Sequence, residues 1–299
     1  MISLRITKLR MELKNTQTSF GPVSYRRVGN GPRKAFYFHG FPSSSAEIRI
    51  FEHFADAIGL EIICFDRPGY NDTRIKTSTM LDATVGITIE LSQQHAWKTF
   101  EVVATSGGTP YGLHVAGRFP KQVKAVRVIC GLGNIADPKV RKYFPKASYI
   151  AMKALPHISG NIINAALNLT LNNQDPQQRS PLMQFFFPSS TADDKCILET
   201  GAAPHLRANL LEAMKQGGLG PKQDARVYTA DWGSQLGRLE MPVAFWHGDD
   251  DKIVPHRISE FNSSMIKNSR YERVPNEGHM SLPILFAEKI MRTELETTV

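Results

Sequence analysis

No stretch of this 299-residue sequence carries the roughly 18 consecutive apolar residues that a bilayer-spanning helix needs. The most apolar runs, Val102–Gly108 and Val128–Ile135, have only the length of core strands. Ala154–Gln174 lacks Asp, Glu, Lys and Arg, but Pro156, Gly160 and several Asn interrupt it. An integral membrane segment is therefore not expected. Cysteine is scarce: Cys64, Cys130 and Cys196 are far apart and odd in number, with no CxxC and no Cys/His spacing of a zinc site. A disulfide framework is excluded, and a reducing compartment, the cytoplasm, is expected. The N-terminus lacks the apolar core of a secretory signal. There is no internal repeat, low-complexity tract or collagen or coiled-coil period.

What is present is the composition of a globular enzyme. Hydrophobic residues make up 41% and charged residues 21%, enough for a sizeable core. The formal net charge is +8, and it is unevenly placed. Arg5, Lys8, Arg10, Lys14, Arg26, Arg27, Arg33 and Lys34 face a single acid, Glu12, within the first 34 residues. The rest of the chain is nearly neutral. This basic segment reads first as the solvated face of two edge strands, and second as a patch for an anionic surface or a transit peptide. No basic motif with interleaved aromatics suggests nucleic acid.

Short apolar runs alternate with helix-length stretches. The runs at 35–38, 61–65, 100–104, 125–130, 242–246 and 271–274 are mostly continuous rather than alternating, as in strands buried on both faces. Ser45–Ala57, Leu81–Trp97 and Pro110–Phe119 read as the helices between them. Such alternation predicts an α/β fold with a mostly parallel twisted sheet and helices on both faces. Its functional residues belong at the C-terminal ends of the strands. The rhythm breaks between about Ile135 and Trp232, where helical patterns (Tyr149–Leu155, Ile162–Leu171, Leu206–Lys215) replace strands. A span of this length exceeds a crossover of about a dozen residues. It reads as a helical insertion at 135–232 in a core formed by 1–134 and 233–299.

Chemistry-bearing residues collect at strand ends. Ala104-Thr105-Ser106-Gly107-Gly108 places a serine on a tight strand-to-helix turn, with small residues two positions to either side so that the turn can close. Serine needs a base, and a histidine oriented by a carboxylate supplies one. His247-Gly248-Asp249-Asp250-Asp251 ends one later run and Asn276-Glu277-Gly278-His279-Met280 the next. Three adjacent Asp cannot all point one way, so a metal cluster there is geometrically poor. His39-Gly40-Phe41-Pro42-Ser43 follows the first buried run. An acyl-transfer oxyanion needs two preorganised N–H donors. The N–H groups of Gly107 and Phe41 fit that role, whereas Pro42 has none to give.

Taken in order, His39–Pro42, Asp66-Arg67-Pro68-Gly69-Tyr70, the Ser106 elbow, His247-Gly248 with Asp251, and Gly278-His279 resemble the α/β-hydrolase superfamily from about Gly21 onward. The string Ser106–Tyr111 and Asp231-Trp232-Gly233 look like a capped serine-hydrolase branch with a Ser-Gly-Gly-x-Pro-Tyr elbow. The family's Gly-x-x-Asp pattern carries the acid onto Asp251. Ala104 stands where Gly is usual, and Asn71-Asp72 follow Tyr70 where similar sequences place Gly and a small residue. Haloalkane dehalogenases and epoxide hydrolases share the His39–Pro42 loop but use an aspartate nucleophile. Hydroxynitrile lyases place Lys where this chain has Met280, and cofactor-free perhydrolases favour Trp where it has Phe41.

The resemblance implies an α/β-hydrolase fold and a serine hydrolase, foremost an esterase. Ser106 is the nucleophile, His279 the base, Asp251 its orienting acid, and Phe41 and Gly107 the oxyanion hole. His39, Tyr70, Tyr111, Phe185, Phe186 and Met280 are the substrate-pocket candidates. No metal or organic cofactor is called for. The partner is a small-molecule substrate, not nucleic acid, and self-association is left open. The alternative is a small-ligand-binding protein that keeps the triad without turning over.

Overall fold

The computed structural model describes residues 11–75, 79–171 and 188–296. Eight strands form one sheet in the order β1-β2-β4-β3-β5-β6-β7-β8. They are β1 (Lys14–Thr18), β2 (Gly21–Val28), β3 (Arg33–Phe38), β4 (Leu60–Phe65), β5 (Phe100–Thr105), β6 (Val123–Ile129), β7 (Val243–Gly248) and β8 (Ser269–Val274). β1 and β2 pair antiparallel, as do β2 and β4. All pairs from β4 through β3 to β8 are parallel. The predicted α/β sheet with helices on both faces is the observed fold.

Every residue of β4 and β7 is buried. Successive side chains leave a strand on opposite faces, so each central strand feeds two cores. Phe36 and Phe38 pack into one with Val102, Val126 and Phe245; Ala35 and Tyr37 enter the other with Val103, Ile129 and Trp246. The edge strand β8 is only partly buried.

Helix α1 (Met80–Gln94) turns Ala83, Ile87 and Leu91 inward at helical spacing. Helix α2 (Thr109–Arg118) starts with Pro110 in its first turn, where a missing N–H is harmless. The predicted helix at 45–57 is instead two 3-10 segments, Ser45–Phe51 and Asp56–Ile58. Over so few residues apolar spacing does not separate i+3 from i+4 closure.

Between β6 and β7 lie only helices among the described residues: α3 (Pro138–Arg141), α4 (Lys146–Ala154), α5 (Gly160–Leu171), α6 (Thr191–Thr200), α7 (Ala203–Met214) and α8 (Leu219–Tyr228). Helix α9 (Arg257–Ser264) precedes β8, and α10 (Ser281–Arg292) follows it. No helix among the described residues is long and apolar enough to cross a membrane.

Part of the basic N-terminal charge is paired with acids of the fold. Arg26, on β2, forks onto Glu212 of α7 at 2.8 and 2.9 Å. Arg27 and Lys34 share Glu61, and Arg33 pairs with Glu101. Arg26 is buried, so the solvated-face reading does not describe it, whereas Arg27 stays exposed as that reading expects.

Candidate active site

Three strand ends and one loop supply the site. β5 is followed directly by Ser106, held at φ 52, the left-handed region that a residue with a Cβ rarely occupies. Thr109 Oγ1 and Leu132 N donate to the Ser106 carbonyl at 2.8 and 3.1 Å, which fixes the turn. Closure leaves no room behind the serine. A Cβ on Gly108 would lie 2.1 Å from the Phe38 carbonyl oxygen, and one on Gly107 would lie 2.4 Å from the Tyr228 hydroxyl.

Ser106 Oγ lies 2.9 Å from His279 Nε2, and His279 Nδ1 lies 2.6 Å from Asp251 Oδ2. All three residues are buried. Asp251 Oδ1 accepts from the backbone N–H groups of Ile253 and Val254, both at 2.8 Å. Its Oδ2 also meets His247 Nε2 at 3.0 Å. His247 Nε2 faces a second acceptor, the Val254 carbonyl at 2.7 Å, so it carries the proton and donates. Asp251 thus gathers four donors. Burial would raise its carboxyl, but the His279 charge and the two histidine hydrogen bonds hold it well below the usual carboxylate range. For His279, burial works downward. The Asp251 charge and hydrogen bond, with Asp193 and Glu47 farther out, carry the net shift above the ordinary histidine value.

The other two aspartates of the run point away. Asp249 accepts from Asn276 N and Arg273, and Asp250 pairs with Lys252. Among the described residues, Cys130, Asp251 and His279 bring three potential ligand atoms within 4.8 Å of one another. His279 and Asp251 are already hydrogen-bonded to each other, and burial, then the Asp251 charge, push the Cys130 thiol up.

The loop after β3 presents Phe41. The Gly40 N–H donates to both Glu47 carboxylate oxygens at 3.1 Å and so is taken. Beneath the loop, Arg67 Nη1 donates to the His39 carbonyl at 2.6 Å and Nη2 to the Gly40 carbonyl at 3.0 Å. The same guanidinium grips Asp224 of α8, Nη2 to Oδ2 2.6 Å. Asp224 also accepts the hydroxyls of Tyr70, Tyr111 and Tyr228. Burial, then the Asp224 charge, drive all three phenols up.

Of the pocket candidates, Tyr70 and Tyr111 are therefore wholly buried with their hydroxyls on Asp224. His39 is wholly buried as well, and burial with Arg67 alongside pushes its imidazole down. Met280 is half-buried beside His279, and its N–H donates to Asp193 at 2.7 Å. Phe185 and Phe186 lie outside the described residues. Sequence reasoning missed Asp193, Asp224 and Tyr228 altogether, and gave His247 no role of its own. Only Asp193 had a local signal, the Ser190-x-x-Asp193 capping box.

A family model described as alpha/beta hydrolase fold matches residues 36–283. The chain belongs to the α/β-hydrolase fold family. Several solved structures are similar to this α/β-hydrolase along nearly the whole chain. An alpha/beta hydrolase fold protein from Nakamurella multipartita is 17% identical, with a TM-score of 0.64, covering 94% of this chain and 97% of its own. The enol-lactonase from Burkholderia xenovorans is 12% identical with a TM-score of 0.68, covering 93% and 97%. An esterase from Exiguobacterium antarcticum is 14% identical with a TM-score of 0.65, covering 93% and 96%. At such identities the likeness speaks for the fold. No curated protein matches the sequence significantly.

Proposed function

We propose that this α/β-hydrolase is a serine hydrolase that cleaves a carboxylic ester through an acyl-enzyme. The observation that carries the reading is the unbroken series from Ser106 Oγ to His279 Nε2 at 2.9 Å and from His279 Nδ1 to Asp251 Oδ2 at 2.6 Å. With Nδ1–H directed at Asp251, Nε2 is left as an acceptor facing the serine hydroxyl. His279 takes the Ser106 proton as Oγ attacks the carbonyl, and returns it to the departing alkoxide. Asp251 orients the ring and stabilises the imidazolium. The N–H groups of Phe41 and Gly107 receive the oxyanion, and the helix start at Thr109 favours charge developing there. Water, deprotonated by His279, then releases the acid.

The insert at 135–232 acts as the cap over this site. Its half-buried Leu206, Leu210 and Met214, on α7, suit an apolar acyl or alcohol part. An esterase and an enol-lactonase among the structural neighbours agree with ester-type chemistry.

The test is fluorophosphonate labelling with peptide mapping, alongside p-nitrophenyl esters from acetate to decanoate. An adduct at Ser106, absent in Ser106→Ala, with a chain-length optimum is the expected result. Folded protein with neither adduct nor turnover would overturn it. Stoichiometric binding of a small ligand without turnover would establish the binding alternative.

A further inference from the structure

His279 stands at an awkward place for a base that must become a cation. It lies just ahead of α10, and the N-terminal end of a helix carries unpaired N–H groups and a partial positive charge. An imidazolium formed there would be opposed by that field. The structure answers with a carboxylate from the insert. Asp193, on α6, is wholly buried. Its Oδ1 accepts from Met280 N at 2.7 Å and Ser281 N at 2.9 Å. Its Oδ2 accepts from the N–H of His279 itself at 3.3 Å. The same carboxylate is braced from its own side, because Ser190 N donates to Oδ2 and Asp193 N donates to Ser190 Oγ, both at 3.1 Å. Contact with the base loop is tight. A Cβ on Gly278 would lie 2.2 Å from Ser190 Oγ and 2.4 Å from both Asp193 carboxylate oxygens.

We infer that Asp193 is a positioning residue for His279. It fixes the backbone that aims Nε2 at Ser106, and its charge offsets the α10 end when the imidazolium forms. The catalytic meaning of this role rests on the serine-hydrolase reading; the structural linkage does not. Three acids surround the His279 ring: Asp251 at Nδ1, with Asp193 and Glu47 farther away. Of these, only Asp193 comes from the insert. The active form of the base therefore requires the α6 part of the insert to be seated, and moving α6 outward would strip three N–H groups of their acceptor.

The experiment uses Asp193→Asn, Asp193→Ser and, as a control on the solvent-exposed side of the same helix, Glu199→Gln. Two readouts are taken. Histidine NMR titration follows the His279 ring, assigned by its absence in His279→Gln. Phosphonate labelling and ester kinetics follow Ser106. In both Asp193 variants the His279 midpoint should fall, since one of three facing acids is lost. Labelling rate and kcat should drop about 10- to 100-fold, as for a misplacement of order 1 Å, with KM nearly unchanged. Glu199→Gln should match wild type. Folded Asp193 variants with wild-type titration and labelling would overturn the inference, as would failure of both variants to fold, which would make the residue a stability element only. If wild type itself takes no label, the hydrolase reading fails, and the titration alone decides whether Asp193 governs His279.

Discussion

Arg67 and Asp224 form an ion pair with 1% and 0% of their side-chain surfaces exposed, Nη2 to Oδ2 2.6 Å, that ties α8 of the insert to the loop presenting Phe41. Burial alone would weaken the Arg67 charge, but Asp224 and the phenols around it hold it above its ordinary value. A buried pair of this kind contributes little net stability while intact, yet breaking it is costly, because one charge is left without a partner. Asp224→Ala should lower the unfolding free energy by about 3–5 kcal/mol, read as a fall in urea midpoint at constant slope. Asp224→Asn, which keeps an acceptor for part of the cluster, should lose less. Equal losses for the two would mean that the charge is irrelevant.

Asp251→Asn should leave the fold in place and reduce kcat by roughly 10⁴-fold, because the amide no longer enforces the Nδ1–H tautomer of His279. Ring-proton NMR on the same variant should show loss of the signal from the His279–Asp251 hydrogen bond. A loss of kcat under tenfold would show that the four donors around Asp251 are a structural device only.

Activity should fall on the acid side as His279 protonates. Its value lies above the ordinary ~6.5, so the midpoint of the acid limb of kcat/KM on a neutral ester should lie above ~6.5. The stability signs are opposite for the two partners. His279, raised in the native state, contributes stability that is complete below ~6.5 and is lost as pH rises through its native value. Asp251, depressed in the native state, contributes stability present above ~3.9 and lost as pH falls through its native value. Urea melts of wild type and Asp251→Asn should therefore differ at pH 5 and converge toward pH 2.

Gly108→Ala should damage the elbow. The new Cβ would meet the Phe38 carbonyl oxygen at 2.1 Å and its carbon at 2.7 Å, and backbone cannot swing aside as a side chain can. The expected cost is about 1–3 kcal/mol or more, with loss of Ser106 labelling. Gly237→Ala, whose Cβ would meet nothing closer than 3.8 Å, should stay within about 0.5 kcal/mol of wild type.

The six parallel strands were legible, mostly as continuous apolar runs that stop at Gly, His or Asp clusters, whereas β1 and β2 carry no such run. Placing those clusters at strand ends brought Ser106, His279 and the aspartate run together, and the family resemblance singled out Asp251 within the run. Residues that work across the boundary with the insert were not legible. Glu212 and Asp224 sit in helical patterns where an acid ordinarily faces water, and nothing local marks the first as half-buried against Arg26 or the second as wholly buried. Arg26 looked like one base of a solvated patch, yet its partner is 186 residues away. Tyr228 carries no motif; its hydroxyl reaches both Asp224 and the Gly107 carbonyl at 2.9 Å only because α8 returns over the elbow. Such partners are chosen by tertiary packing, to which sequence periodicity is blind.

The insert meets the core through Asp193 at the base loop, Glu212 at β2 and Asp224 beneath the Phe41 loop. Its exchange value is correspondingly low. Transplanted onto another hydrolase, the insert would bring three carboxylates that need bases and backbone N–H groups placed as they are around Arg26, Arg67 and His279 here. Excised, it would leave both guanidiniums without the carboxylates that face them. A chimera that exchanges the insert of this protein therefore has to carry those core positions along with it, as one cooperating unit.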